Sequence, residues 1–497
     1  MLKLTLNSQT NMNKLILFLF VFLLLLASCK TEKITDIQPN TVLPSPQQLA
    51  YQKMEMVGFI HFTVNTYTDK EWGYGDESPE IFNPTKLDAE QWVLTAKAGG
   101  MKELILTAKH HDGFCLWPSK FTEHSVKNSP YKNGEGDVVK EFVDACHKHG
   151  LKVGLYLSPW DRNHAEYGTP EYITYYRNQL KELLTNYGEI NEIWFDGANG
   201  GDGFYGGANE ERKIDRETYY DWKNTFALVK ELQPNILIFS DAGPNIRWVG
   251  NEHGHAGQTF WSTINADKLT IGGSMSDYLN IGESNGNAWL IGQCDVSIRP
   301  GWFYHETQDS LVKSPKELVD IYYKSVGRNG VLLVNLPPNK EGLLYDTDIN
   351  NLKGFKQIID HTFETNLIKE ASINASNYRL DDDYFSPNNL LDENPNTYWA
   401  TDDNMVSAEL VIETEKPVTF NRLMLQEPIK FGQRIQGFEI LANINNEWKT
   451  IAKETTIGYK RLLQTEKITT NQIKLKIMKT NNVPALSSFE VYYAKEE

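Results

Sequence analysis

Lys152-Val153-Gly154-Leu155-Tyr156-Leu157-Ser158 is a short apolar run closed by Pro159. Before it, Asp137 to His149 carries a helical pattern that stops at Gly150; after it, Tyr172 to Tyr187 carries another that stops at Gly188. A buried strand between two terminated amphipathic helices is the unit of a parallel sheet. The same texture runs outward in both directions. Val57 to Thr63, Glu103 to Ala108, Glu192 to Phe195, Ile236 to Ser240, Trp289 to Gln293 and Val331 to Asn335 read as further strands. Asp88 to Ala98, Asp215 to Leu232 and Pro315 to Val326 read as further helices, with Asp88 as an N-cap and Gly99-Gly100, Pro234 and Gly327 as stops. About seven or eight such units between Met56 and Pro338 predict an α/β fold, a (β/α)8-like barrel. No Gly-x-Gly-x-x-Gly follows the first strand, which removes the main argument for a doubly wound dinucleotide domain.

After Phe363 the texture changes to short alternating strands with turn residues between them, among them Ala408 to Ile412, Arg422 to Leu425, Gly437 to Ala442 and Gln472 to Ile477. This predicts a C-terminal antiparallel β-sandwich, with the boundary in Glu364 to Ile373. At the other end, Lys14 precedes the apolar run Leu15 to Ala27, too short to span a bilayer and of the length of a signal peptide. Met12 is an alternative start. The expected organisation is 1–28 signal peptide, 29–48 Pro-containing tether, 49–363 catalytic barrel and 364–497 sandwich.

Composition narrows the partner. Lysine and arginine total 49 against 65 acidic residues, a net charge of −16, which argues against a nucleic-acid groove or an anionic-membrane patch. Aromatic residues reach 12%, with 12 tryptophans, and their flat faces stack on sugar rings as readily as they fill a core. Four cysteines are too few for a disulfide scaffold; Cys115, Cys146 and Cys294 read as buried thiols.

In a parallel barrel, chemistry sits at the C-terminal strand ends. There stand His61, His110-His111-Asp112, Trp160-Asp161-Arg162 and Asp196. Histidines and tryptophans around a carboxylate suit a neutral polyol. Zinc or iron is the rival reading, against which the histidines lack a helix-borne His-x-x-x-His spacing. Glycosidic hydrolysis needs two carboxyls, one to attack or activate water and one to protonate the leaving oxygen. Asp196, after Trp194 and Phe195 and before the Gly-rich loop Gly197 to Gly207, is the first candidate. Glu252 is the second, in a loop expected to desolvate it and raise its pKa; Asp241, Glu283 and Asp295 compete.

His61-Phe62-Thr63, Glu71-Trp72, Lys109 to Phe114, Gly154 to Trp160 and Trp194-Phe195-Asp196-Gly197-Ala198 together resemble glycoside hydrolase family 29, the α-L-fucosidases. The resemblance implies that Asp196 is the nucleophile of a retaining reaction. It further implies that His61, Glu71, Trp72, His110, His111, Tyr156 and Trp194 line a pocket for one fucose, with no cofactor. Arg247 to Glu252 and Cys294 to Trp302 resemble the branch that prefers α1,3/1,4-linked fucose on branched, Lewis-type glycans. There Glu252 matches the acid/base, and Arg247 and Trp302 are carried over as substrate-binding residues. Leu391 to Trp399 and Ser488 to Tyr492 resemble discoidin-type sandwiches, including carbohydrate-binding module family 32; some relatives hold a structural calcium through a loop like Asp392 to Asn396. Leu26-Ala27-Ser28-Cys29 resembles a bacterial lipobox, which implies lipidation at Cys29 and an exported lipoprotein of the cell envelope, touching membrane only through that anchor. The expected partner is a fucosylated oligosaccharide or glycoconjugate. The rival readings are a non-catalytic glycan-binding protein and another retaining glycosidase on the same barrel.

Overall fold

The structure, a computed structural model, describes residues 36–273 and 275–495. The expected signal peptide and the expected lipidation site Cys29 lie outside them. Among the described residues no helix is long and apolar enough to cross a membrane.

Eight strands close a barrel in chain order: β1 (Met56–Ile60), β2 (Glu103–Lys109), β3 (Lys152–Leu157), β4 (Glu192–Trp194), β5 (Leu237–Ser240), β6 (Ile246–Trp248), β7 (Ile291–Ser297) and β8 (Val331–Asn335). Every neighbouring pair is parallel, and β8 closes on β1 through Met56 to Phe59 against Leu332 to Asn335. Strands covered on both faces are mainly apolar, and all of β1, β2 and β8 is buried, including Glu103 and Lys109 at the ends of β2. Outside lie α1 (Ala89–Ala98), α2 (Val138–His149), α3 (Pro170–Asn186), α4 (Trp222–Leu232), α5 (Pro315–Lys324) and α6 (Asp346–Thr362). Asp88 and Asp137 cap α1 and α2 by accepting from Gln91 N–H and Lys140 N–H, and Gly150 ends α2 in the left-handed region at φ 72°.

Three sequence expectations change. Helix α4 starts at Trp222 rather than Asp215, because Asp221 takes a left-handed φ of 44° that breaks the pattern. Strand β6 is not among the expected strands, and no helix joins it to β5: the chain doubles back through Asp241 to Asn245, with Gly243 at φ 98°, and climbs again beside Phe239. The expected tether is ordered at its C-terminal end. Asn40 N–H donates to Phe431 O, and Ser45 caps a helix, Pro46–Gln52, whose Tyr51 plugs the N-terminal mouth of the barrel. There the Tyr51 hydroxyl donates to Glu192 Oε2 (2.7 Å), and Gln293 Nε2 reaches both Tyr51 and Glu192.

The C-terminal region is an antiparallel sheet domain around its own core, with Trp399, Leu410, Phe420, Phe438 and Leu475 at its centre. Its long strands Ala408–Gln426 and Arg461–Thr480 shift register between Glu413 and Val418, so Ser372–Ala375 pairs on one half and Ser488–Tyr492 on the other. Tyr398 and Trp399 are buried. The domain docks against the N-terminal ends of β1 and β8. Asn329 Oδ1 accepts Tyr459 N–H (2.7 Å) while Asn329 Nδ2 donates to Gln433 Oε1 (3.2 Å). Glu55 receives Lys460 Nζ, the Tyr459 hydroxyl (3.0 Å) and the Tyr322 hydroxyl (2.7 Å).

Calcium takes six to eight oxygen ligands. In the Asp392 to Asn396 loop, the two Asp392 oxygens each accept one hydrogen bond, from Asn394 N–H (2.8 Å) and the Thr397 hydroxyl (2.7 Å), and Glu393 pairs with Lys369. No cluster of three His, Cys, Asp or Glu suited to a metal occurs among the described residues. These bonds tie the turn to itself.

Candidate active site

A cavity of about 250 Å³ opens at the C-terminal end of the barrel, lined by Phe59, His61, Glu71, Trp72, His110, His111, Trp194, Asp196, Gly197, Ala198, Asp241, Trp248, Glu252, Asp295 and Trp302. It is smaller than the roughly 300–1,000 Å³ of drug-sized sites and matches a single sugar unit.

Period-two alternation sets its base. On β4, Ile193 and the following Phe195 pack outward on the helices, while Glu192 and Trp194 point into the barrel, so Asp196 arrives at the rim facing inward. Its carboxyl is held from two sides: the Tyr156 hydroxyl donates to Oδ2 (2.9 Å) and Ala198 N–H to Oδ1 (2.7 Å). These donors fix its aim while leaving it a quarter exposed. Tyr156 is fully buried behind it, stacked on Trp194 (5.3 Å) and His110 (5.6 Å), and supports the lining without joining it. Gly197 is required by contact: a Cβ there would stand 1.7 Å from Asp241 Oδ2.

Three histidines form one wall. His61 is oriented by Asn335 (2.8 Å) and His111 by Ser158 (2.7 Å), and burial lowers both to about 4. His110 is likewise pushed down by burial, then by His111 and His61. All three are neutral imidazoles at pH 7, each able to donate and accept, as a polyol requires. His110 Nδ1 is buried with no protein partner. The indoles complete the walls. Trp194 stacks on Phe239 (3.9 Å) and donates to Gln293 (2.7 Å); Trp72, 53% exposed, stands edge-on to His111 at the mouth; Trp302 covers His61 at 5.2 Å. Glu71 ties the rim together, accepting Trp302 N–H (2.8 Å) and pairing with His305 (2.6 Å).

Two expectations are corrected. Arg247 does not reach the cavity. It alternates outward between Ile246 and Trp248, is fully buried, and donates to the carbonyls of Leu279, Leu290 and Trp261 while its guanidinium lies 4.8 Å above Phe260. Glu252 is exposed rather than desolvated, and accepts Trp302 Nε1–H at 3.1 Å. The rivals separate: Glu283 is outside the cavity, taken by Tyr278 (2.6 Å) and Lys268 (3.0 Å), whereas Asp241 and Asp295 line it. Phe59 and Trp248 also line it without having been singled out from sequence.

Burial, then the charge of Asp196, raises Asp241 to about 7; burial, then Glu252, pushes Asp295 well above the carboxylate range. A small cavity with an aimed carboxylate, further carboxyls facing it and an aromatic wall defines a glycoside hydrolase. The chain belongs to the alpha-L-fucosidase family: that family's model matches residues 46–362, and an F5/8 type C domain model matches residues 372–491. It is 45% identical over 463 residues to alpha-L-fucosidase 1 of Arabidopsis thaliana, covering 92% of this chain and 88% of that one. Among solved structures, a glycoside hydrolase 29 family member from an unknown rumen bacterium is 44% identical with a TM-score of 0.82, covering 93% of this chain and 79% of that one. A Ruminococcus gnavus GH29 fucosidase in complex with fucose is 36% identical with a TM-score of 0.84, covering 94% and 98%. The protein is an α-L-fucosidase with a C-terminal discoidin-type domain.

Proposed function

We propose that this enzyme is an exo-acting, retaining α-L-fucosidase that removes terminal α1,3/1,4-linked fucose from branched, Lewis-type glycans. The observation that carries the reading is Asp196, held at the cavity by Tyr156 O–H and Ala198 N–H with its carboxylate open to a bound sugar. In this mechanism Asp196 attacks the anomeric carbon and forms a covalent fucosyl-enzyme, while Glu252 protonates the leaving oxygen and later takes a proton from the attacking water. The exposure of Glu252 suits this role, because the departing glycan itself covers the carboxyl and removes water from it. Neutral His61, His110 and His111 bind the fucose hydroxyls, Trp194, Trp302 and Trp72 cover its apolar edges, and Glu71 braces the rim. The linkage preference rests on the likeness of Arg247 to Glu252 and Cys294 to Trp302 to one branch of the family. Export as a lipoprotein anchored at Cys29 belongs to the same reading and rests on the sequence of the first 29 residues.

Asp196→Ala should lose aryl α-L-fucoside hydrolysis, with kcat falling by at least about 10³-fold. Glu252→Ala should lose more on a natural oligosaccharide than on an activated aryl fucoside, with azide restoring turnover of the latter. Wild-type kcat in Asp196→Ala, or equal losses of Glu252→Ala on both substrates, refutes the assignments. A panel of Lewis-type and linear α1,2-fucosylated oligosaccharides tests the linkage.

A further inference from the structure

Five carboxyls line the cavity, those of Glu71, Asp196, Asp241, Glu252 and Asp295, and no lysine or arginine does so among the described residues. Four have evident work: Asp196 and Glu252 flank the reacting bond in the reading above, Glu71 braces the rim, and Asp241 accepts Gly272 N–H (3.0 Å) against Gly197. Asp295 is left over. It stands inward on β7, in alternation with Gln293 below it and Ser297 above, while Cys294 and Val296 point out into other packing. Its residue is 5% exposed. Trp248 Nε1–H holds one oxygen, Oδ1, at 2.9 Å, and among the described residues no other side chain is bonded to the carboxyl, which otherwise meets only its own backbone N–H. A buried carboxyl with one oxygen tied and the other turned to a cavity is an unmet hydrogen-bonding group awaiting a ligand.

We propose that Asp295 is a further sugar-contacting residue, which hydrogen-bonds a hydroxyl of the bound fucose through the oxygen that Trp248 leaves free. The neighbourhood decides the direction of that bond. Burial is the main cause that raises Asp295 and favours its protonated form, in which the free oxygen donates. A donating acid complements the neutral histidines without adding negative charge to a cavity where Asp196 must attack. The tie to Trp248 also fixes the rotamer, so the contact is aimed before the sugar arrives. This inference rests on the fucosidase reading for the identity of the sugar.

The test is a double-mutant cycle between Asp295 and the substrate, using aryl α-L-fucoside and its 2-, 3- and 4-deoxy analogues with wild type, Asp295→Ala and Asp295→Asn. Asp295→Ala should lower kcat/KM on the parent fucoside by about tenfold or more, with one deoxy analogue losing much less in the variant than in wild type. Asp295→Asn, whose amide accepts from Trp248 and donates to the sugar, should stay within severalfold of wild type and keep the wild-type pattern across the analogues. Additive losses on all three analogues in an active enzyme overturn the contact and leave Asp295 only a support for Trp248. An unfolded Asp295→Ala leaves the decision to Asp295→Asn: loss of tenfold or more by that variant, folded by circular dichroism, refutes the donor. Failure of wild type to hydrolyse the parent fucoside would instead refute the fucosidase reading itself.

Discussion

Gly197→Ala tests whether the aim of Asp196 depends on the close approach of two loops. A Cβ at residue 197 would lie 1.7 Å from Asp241 Oδ2, 2.4 Å from its Cγ and 2.7 Å from its Oδ1, where ordinary contact begins at 3.4 Å. One partner must therefore retreat by about 1.7 Å. Asp241 is half-buried and pinned by Gly272 N–H at 3.0 Å, so the strain falls on both loops, including the turn in which Ala198 N–H holds Asp196 at 2.7 Å. Overpacking of this kind costs about 1–3 kcal/mol of stability. A misplacement of about 1 Å at a reacting group costs on the order of 10²-fold in rate. Urea denaturation should show the first and kcat on an aryl α-L-fucoside the second. The decisive variant is Gly197→Ala/Asp241→Ala, which removes the three clashing atoms. Relative to Asp241→Ala alone, the added methyl should then cost less than about 0.5 kcal/mol, the level of independent sites. If the methyl destabilises equally with and without the Asp241 carboxyl, the clash argument is wrong.

Other outcomes follow from the same geometry. Arg247→Met should fold poorly or melt at least about 3 kcal/mol lower, because it strips buried carbonyls of their charged donor; an unchanged melt with a raised KM would restore Arg247 to the sugar site. Trp72→Ala, at an exposed mouth position, should leave thermal stability within about 0.5 kcal/mol while raising KM for glycans severalfold, and an unchanged KM would remove it from the binding surface. His61 is held at about 4 by burial against an ordinary 6.5, so the unfolded chain takes up its proton first as pH falls. Wild type should therefore lose stability relative to His61→Gln between about pH 6.5 and 4, by up to about 3 kcal/mol, and level off below; a pH-independent difference would show that His61 is not buried neutral.

Much of the site was legible because strand ends are. His61, His110-His111 and Asp196 close β-rich runs, and parallel topology sends all such ends to one face. Strand β6 was not legible, since no helix separates Ile246–Trp248 from β5. Its omission explains the misplacement of Arg247. Once Ile246 and Trp248 are seen as strand residues facing in, alternation sends Arg247 out. The same rule, run upward from Gln293, would have singled out Asp295 from the other acidic candidates. Glu252 is different in kind. Its exposure depends on how the loop after β6 is laid over the rim, a tertiary outcome that neighbouring apolar residues in the sequence do not encode. Only the last residues of the tether, from Pro46, turn helical, for a readable reason: Ser45-Pro46 followed by Gln48 is a capping box with proline at the first helical position.

The docking of the sheet domain beneath the barrel has a thermodynamic consequence. Glu55 and Asn329 each find essential partners across the junction, and Phe260 N–H and Ser262 N–H are satisfied by Thr456 and Gln433 from the other side. Separating the two halves would break those bonds and expose to water the face each half turns to the other, so each half gives up stability on its own. Heat should thus meet a single cooperative body, with the sugar-cleaving barrel and its discoidin-type base melting in one calorimetric transition.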